Sequence, residues 1–206
     1  KDVHIMPVMP VIFLCVIIFV VWLHYQISKS SKKDKDASDS FWKKESEANN
    51  TRKADLSDLT YITVPMDKLP FSDTAKEDIR NLQDTVKNLG KIVNFTGLSN
   101  TDLKLKYGAP NLTILSEYDQ NYTLLVRTLN SWAALLYEQD SLDDATVVLE
   151  YAVECRSDIK NTYVLLGNIY KSRGEFSKIK ELVNIANGLN SLSKAGIIQE
   201  LNQLLS

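Results

Sequence analysis

A run of thirteen apolar residues, from Val11 to Leu23, is the feature of this sequence that most constrains its fold. Extended to Ile5–Tyr25, the segment still contains no Asp, Glu, Lys or Arg. A helix rises about 1.5 Å per residue, so a helix over Ile5–Tyr25 spans roughly 31 Å, close to the hydrocarbon core of a bilayer. The sequence therefore predicts one transmembrane helix, which contacts the lipid bilayer through residues 5–25.

A cleaved signal peptide and a buried core helix are the two other interpretations of this segment. A signal peptide has a shorter apolar core followed by small residues, whereas this run ends in the bulky Trp22 and Tyr25. Aromatic residues at that position are typical of a membrane interface. We therefore predict an uncleaved signal-anchor over residues 1–27, and a single-pass protein of the cell membrane.

The sequence contains two opposing indications of the orientation of the chain, that is, of the side of the membrane on which the residues after the anchor lie. Lys29, Lys32, Lys33 and Lys35 follow the apolar segment, and the positive-inside rule places such residues in the cytoplasm. The sequence begins at Lys1 without Met, so basic residues upstream would reverse that count. Short anchors before repeat domains commonly export them, and we predict an extracytoplasmic domain.

Residues 28–58 are rich in Lys, Asp, Ser, Glu and Asn, and contain few large apolar residues beyond Phe41, Trp42 and Leu56. Such a segment buries too little apolar surface to offset the entropy lost on ordering. We therefore predict a flexible polar linker. The Phe41–Trp42 pair is a second interfacial contact, a short docking motif or an incidental feature of a disordered stretch.

The apolar residues of the segment 59–206 recur at intervals of three and four, which indicates amphipathic helices. Gly and Pro number seven and five in the whole chain, as few as an all-α fold requires. Thr74 and Glu77 fit a capping box and predict the start of the first helix. Residues 98–113 are predicted to form a structured loop, and helices follow from about Ile114 to the C-terminus.

The last part of the chain is similar to itself at a fixed shift along the sequence. The matching pairs are Leu136 and Tyr170, Asp140 and Gly174, Leu142 and Phe176, Ala145 and Ile179, Leu149 and Val183, and Ala152 and Ala186. Thirty-four residues, the shift in every pair, is the tetratricopeptide period. Tyr163–Tyr170 carries an aromatic residue, Leu, Gly and Tyr at the spacing of that family's first helix, and Gly174-Glu175-Phe176 matches its turn. Residues 126–192 therefore resemble the tetratricopeptide repeat family, although Leu129 replaces the first aromatic and the closing Pro is absent from both copies.

The resemblance implies a short α-solenoid of antiparallel helical hairpins, with a capping helix at the C-terminus. The predicted fold is therefore all-α: an anchor over 1–27, a linker over 28–58, and a helical domain over 59–206 with tetratricopeptide-like repeats at about 126–192. In this family, the inner faces of the first helices form a groove that binds peptides or partner helices. The corresponding positions here are Arg127, Asn130, Ala134, Tyr137, Glu138, Asn161, Val164, Asn168, Lys171 and Ser172.

No residue pattern in the predicted domain indicates catalysis. Both histidines, His4 and His24, flank the membrane segment, so the domain lacks the commonest general base and metal ligand. Cys155 has no His partner, and the pair Asp143-Asp144 stands at a helix start, where carboxylates stabilise the helix dipole. We predict no enzymatic activity, no catalytic residues, no metal and no cofactor. The net charge of −2 gives no reason to expect a nucleic-acid partner.

Two functions from different classes agree with these observations. The first is a membrane-anchored adaptor or scaffold subunit of a membrane-associated complex, which binds a protein or peptide partner through the groove. The second is a structural spacer, or a self-associating subunit that forms an oligomer and has no external ligand. Helical periodicity does not separate them, because surfaces that face a partner and surfaces that face a second copy have the same pattern.

Overall fold

The computed structural model describes residues 8–206, with side-chain surroundings described from residue 12 onward. Within this range the chain forms eight α-helices and no β-strand. The helices are α1 (Val8–Asn49), α2 (Glu77–Lys87), α3 (Asn100–Tyr107), α4 (Leu112–Glu138), α5 (Leu142–Glu154), α6 (Lys160–Ser172), α7 (Phe176–Asn187) and α8 (Lys194–Leu205). The predicted all-α class is confirmed.

Among the helices of residues 8–206, α1 alone is long and apolar enough to cross a membrane, and its apolar segment lies in its N-terminal half. Its best window has a mean hydropathy of 1.8, and none of that window is buried against the rest of the chain. Large apolar side chains from Ile12 to Tyr25 are exposed all around the helix. A helix that is apolar on every side and touches no protein has the surface of a membrane-spanning segment.

The structure differs from the predicted flexible linker, because residues 28–49 continue α1 without a break. The prediction considered how little apolar surface this segment buries. A helix that is already nucleated, however, adds each further residue at low cost, and Lys, Glu and Ala are good helix formers. The C-terminal end of α1 also packs against α3, and Ala48 is buried there. Irregular chain then runs from Asn50 to Lys76.

The start of α2 lies two residues after the predicted one. Its N-cap is Lys76, and no side chain caps it. The Thr74 hydroxyl instead shares a hydrogen bond of 2.9 Å with the Ser72 hydroxyl, inside a turn that precedes the helix. The predicted capping box of Thr74 and Glu77 is therefore wrong, because the local turn uses the hydroxyl that the box requires.

The segment 98–113, predicted as a loop, contains α3 and a short 3₁₀ turn over Ala109–Asn111. A capping box starts α3: the Ser99 hydroxyl accepts from the Asp102 backbone N–H, and the Asp102 carboxylate accepts from the Ser99 N–H. The prediction failed because α3 is short and buries Leu103 alone among its own residues. So short a helix shows no apolar stripe.

A continuous apolar core joins α2 to α4–α8. Its largest fully buried side chains are Trp132, Tyr163, Leu125, Leu129, Leu149, Leu166, Ile169, Ile179, Ile197 and Leu201. The Trp132 ring packs on Phe71 with 5.2 Å between ring centroids. The buried Tyr163 hydroxyl donates to the Ser157 carbonyl at 2.9 Å, which satisfies its polar end. The core therefore lies under α4–α8, which include the two helices with the predicted groove residues, α4 and α6.

The helices from α4 to α8 pack in chain order. α4 contacts α5 and α6, α6 contacts α5 and α7, and α8 contacts both α6 and α7. Gly167 of α6 permits the close approach of α8, since a Cβ there would lie 2.6 Å from Leu204 Cδ1. Neighbouring helices along the chain are thus neighbours in space.

The α4–α5 and α6–α7 turns have the same backbone geometry, one tetratricopeptide period apart. Asp140 and Gly174 both adopt the left-handed conformation, with φ of 59° and 72°. In each turn the following residue donates its backbone N–H back to the preceding helix, Ser141 to the Leu136 carbonyl at 2.9 Å and Glu175 to the Tyr170 carbonyl at 2.8 Å. The α5–α6 turn has the same geometry, with φ of 60° at Arg156 and a hydrogen bond of 3.0 Å from the Ser157 N–H to the Ala152 carbonyl. This turn geometry therefore ends three successive helices and is not specific to the 34-residue shift.

Candidate partner-binding surface

The predicted groove residues lie on the exposed or half-buried sides of α4 and α6, and one of them, Tyr137, packs against the edge of the core. Five of them are exposed: Arg127, Glu138, Asn161, Lys171 and Ser172. The others are half-buried: Asn130, Ala134, Tyr137, Val164 and Asn168. The opposite sides of both helices supply the buried residues, so each helix presents a mostly polar stripe to the solvent.

A hydrogen-bonded group of three side chains joins the two stripes. Asn161 Nδ2 donates to Asn130 Oδ1 at 3.2 Å, and Thr162 Oγ1 donates to the same oxygen at 3.3 Å. An amide oxygen has two lone pairs, so these two donors use its accepting capacity. Asn130 therefore offers a partner its N–H donors, which suit backbone carbonyls, whereas Asn161 keeps one N–H donor and its amide oxygen as an acceptor.

Arg127 lies at a cavity of about 500 Å³ between α4 and the chain that enters α6. Asp119, Asp158 and Lys160 also line this cavity, so charges of both signs surround it. These three residues were not predicted as part of the binding surface, because Asp158 and Lys160 precede the repeat motif of α6 and Asp119 lies upstream of the repeat. Their signal in the sequence is weak, since charged residues are frequent throughout the chain.

A second cavity, of about 580 Å³, opens between α5, α6 and α7. The Tyr170 hydroxyl donates to Glu150 Oε1 at 2.6 Å, and the Lys178 ammonium lies 4.8 Å from the centre of the Tyr170 ring. Burial, together with the adjacent Glu150 carboxylate, raises the pKa of Tyr170, so its phenol stays a hydrogen-bond donor. The apolar lining of this second cavity includes Leu166 and Leu182. The cavity is bordered by α5 and α7, which carry none of the predicted groove residues.

The chemistry of these surfaces consists of hydrogen bonds, charges and apolar contacts. Burial raises the pKa of the Cys155 thiol to about 11, so the thiol is protonated at neutral pH and a poor nucleophile. Among the residues that the structure describes, no group of three His, Cys, Asp or Glu side chains is placed to hold a metal ion. The absence of enzymatic activity remains a prediction from the sequence.

Polar side chains fasten the end of α1 to α3, a contact that the sequence analysis did not find. The Lys44 ammonium lies 2.8 Å from Asp102 Oδ1, and Lys104 forms an ion pair with Glu45. The Thr101 hydroxyl donates to Glu45 Oε2 at 2.6 Å. The neighbouring Lys44 and Ser99 donors hold the pKa of Asp102 at about 2, so the carboxylate is charged at neutral pH. We refer to this contact of residues 44–54 with α3 as the junction.

The chain that follows α1 extends the junction by backbone contacts. The Ala54 N–H donates to the Tyr107 carbonyl at 3.0 Å, and Asn111 Nδ2 donates to the Ala54 carbonyl at 2.8 Å. Gly108 makes this approach possible, because it has φ of 91° and a Cβ there would lie 2.2 Å from the Arg52 carbonyl oxygen. The absence of a side chain at residue 108 is therefore a requirement of the junction.

Comparison with known proteins found no matching family model, no similar curated protein and no similar solved structure. The likeness to tetratricopeptide repeats thus depends on the sequence pattern of this chain alone.

Proposed function

We propose that this chain is a membrane-anchored, tetratricopeptide-like adaptor or scaffold subunit, which binds a protein or peptide partner on the stripes of α4 and α6. The similarity of the sequence to itself at a shift of 34 residues carries this proposal, and the packing of α4–α8 in chain order supports it. We infer that α4 and α6 are the first helices of two successive hairpins in a short solenoid, with α8 as its cap. Repeats of this kind stack their helices side by side and use the surface so formed for binding.

The side chains on the two stripes favour a partner that presents carbonyl groups and a small apolar residue. Asn130, Asn161 and Asn168 offer amide N–H donors to a partner backbone. The half-buried Val164 lies between the last two of them along α6 and offers an apolar contact. An extended peptide or the end of a partner helix has this combination of groups.

The anchor limits which partners the domain meets. We propose that α1 is a signal-anchor and that the domain lies outside the cytoplasm, in the cell envelope. A reporter active in the cytoplasm and one active outside it, each fused after Ser206, distinguish the two orientations. Activity of the cytoplasmic reporter would reverse the orientation and direct the search to cytosolic partners.

Site-specific photo-crosslinking in native membranes tests the binding surface. A photoreactive amino acid replaces Val164 in the full chain, and the matched control carries it at Lys180, which is exposed on α7. The proposal expects one protein to crosslink from Val164 and not from Lys180. Asn168→Ala should then weaken that association roughly two- to tenfold, as expected for one lost hydrogen bond.

Crosslinks to a second copy of the chain from position 164 would contradict an external partner and favour self-association. Equal crosslinking from positions 164 and 180 would show that α4 and α6 have no privileged role.

A structural spacer is the second candidate, and the unbroken helix α1 favours it. From Tyr25 to Glu45, α1 rises about 30 Å, and the junction then joins it to the domain. Insertion of Gly-Gly after Asp36 should abolish the function of a spacer. A flexibly tethered adaptor would tolerate the same insertion.

A further inference from the structure

Five side chains share one side of α1 where its apolar segment ends. Trp22, Tyr25 and Lys29 follow one another at helical spacings of three and four, and Lys32 and Lys33 stand at the same two spacings beyond Lys29. All five are exposed, and α1 is helical throughout this region, so the spacing describes one surface of the molecule. Two aromatic rings are thus followed along the same stripe by three ammonium groups. We call this surface the aromatic–lysine stripe.

The lysines of the stripe lie at the depth of phospholipid headgroups when α1 spans a bilayer. The helix rise places Lys29 about 6 Å and Lys33 about 12 Å beyond Tyr25. The headgroup region extends roughly 5–7 Å beyond the hydrocarbon on each side. The Cα–Cβ bonds of a helix tilt towards its N-terminus, which here is the direction of the membrane. The long lysine side chains therefore reach back to the headgroups.

The positive charge of the stripe is not neutralised within the chain. Among residues 12–206, the ion pairs involve other lysines and arginines, and none includes Lys29, Lys32 or Lys33. Asp36 stands four residues after Lys32 and three after Lys33, close enough on a helix for an ion pair, but it forms none with either lysine in the described part of the chain. Asp34 lies on another side of α1. The ammonium groups of the lysines closest to the membrane are thus available to bind a negatively charged group beside α1.

We propose that the aromatic–lysine stripe binds the headgroup phosphates of anionic phospholipids in the leaflet next to the domain. The inference rests on the membrane anchor of the proposed function. Lysines immediately beyond a transmembrane helix are attracted to anionic lipid surfaces, and Trp and Tyr rings prefer the interface at the same level. Together they fix the depth and the rotation of α1. Because α1 continues into the junction, the stripe also fixes the height of the domain above the membrane.

Lipid titration of the full chain in detergent micelles tests this proposal. Phosphatidylglycerol or phosphatidylcholine with identical acyl chains is added, and native mass spectrometry counts the bound lipids. The wild-type chain should bind phosphatidylglycerol at least about tenfold more tightly than phosphatidylcholine, because three lysines attract the anionic headgroup. The triple variant with Lys29→Gln, Lys32→Gln and Lys33→Gln should lose this preference.

A matched triple variant controls for the change in net charge. Lys68→Gln, Lys76→Gln and Lys180→Gln remove the same number of charges from exposed positions of the domain. This control should keep the wild-type preference for phosphatidylglycerol. Equal loss in both triple variants, or no preference in the wild-type chain, would overturn the proposal.

Alkaline carbonate extraction of membranes separates failure of the stripe from failure of the anchor. A wild-type chain that stays in the membrane but shows no lipid preference overturns the stripe alone. A chain that carbonate extracts overturns the anchor and the stripe together. A lipid preference without the crosslinks from Val164 supports the stripe and contradicts the adaptor.

Discussion

The junction and the α4–α7 hairpins are held together by contacts of different kinds. At the junction, charged side chains such as Lys44 and Asp102 meet at a surface open to solvent. In the hairpins, apolar side chains such as Leu149 and Ile179 are fully buried. Burying a large apolar side chain contributes about 1.5–3 kcal/mol, whereas ion pairs open to water contribute little and are screened by salt. The hairpins should therefore set the stability of the fold, and the junction should respond to pH and salt.

The largest expected effect is in the hairpins. Ile179→Ala removes a fully buried side chain of α7 and should lower the free energy of unfolding by about 3 kcal/mol. Chemical denaturation of the chain in detergent, followed by circular dichroism, measures this loss. Val147→Ala on α5 is the control, because Val147 is exposed and its loss should cost about 0.5 kcal/mol or less. A loss below about 1 kcal/mol at Ile179 would show that α7 is packed more loosely than the structure has it.

Gly108→Ala should give the next largest effect, and it should act on the junction. The new Cβ would collide with the Arg52 carbonyl, and the positive φ adds backbone strain. We therefore expect the free energy of unfolding to fall by about 2 kcal/mol. Limited proteolysis with trypsin should show faster cleavage after Arg52 and Lys53.

Gly174→Ala separates strain from collision in this experiment. Gly174 also has a positive φ, but a Cβ there meets no atom within 4 Å. The Gly174→Ala variant should lose about 1 kcal/mol of unfolding free energy, and its rate of cleavage after Arg52 should stay unchanged. Faster cleavage in both variants would mean that the junction and the hairpins unfold together, and would break the comparison between them.

Glu45→Gln should weaken the junction without affecting the hairpins. The substitution removes the ion pair with Lys104 but keeps a hydrogen-bond acceptor for Thr101. Amide hydrogens of residues 45–49 should exchange faster, as measured by mass spectrometry, with the unfolding midpoint of the domain unchanged. Glu47→Gln is the control, since Glu47 is exposed on the same helix. A lower unfolding midpoint in Glu45→Gln would show that the junction supports the core.

The smallest expected effect is that of acid on the junction. Hydrogen bonds from Lys44 and Ser99 lower the pKa of Asp102 from 3.8 to about 2. A carboxyl group whose pKa is lowered by folding stabilises the folded state above pH 3.8, and that contribution is lost as the pH falls through about 2. NMR shifts of the Ser99 and Asp102 amides should therefore change between about pH 4 and pH 2. Asp102→Asn should remove this transition, and a transition that persists in the variant would assign it to another group.

Periodicity in the sequence predicted the hairpins better than the region before them. Helix α6 spans Lys160–Ser172, within the region where helices were predicted, because its apolar positions recur at helical spacing next to a turn glycine. The segment before α4 gives no such pattern. Helix α3 is short, and its capping box of Ser99 and Asp102 precedes a single buried residue. Local signals of this size are frequent in any polar sequence, so they predict little on their own.

The contacts of the predicted groove residues with one another were not predictable from the sequence. The hydrogen bond between Asn161 and Asn130 joins residues 31 positions apart, and it depends on how closely α4 and α6 approach. The cavity beside Arg127 likewise needs Asp119 and Asp158 to meet across two elements. Whether any partner binds there stays a prediction.

The sequence alone determined the apolar membrane segment, the all-α class and the repeat at the tetratricopeptide period, because each is a pattern of neighbouring side chains that local helix geometry converts directly into a surface. The tertiary structure decided that the C-terminal end of α1 packs on α3. That outcome depends on Glu45 meeting Lys104, which is distant in sequence, and on the space left by Gly108. Contacts between such distant residues arise from the packing of whole helices, and no local pattern encodes them.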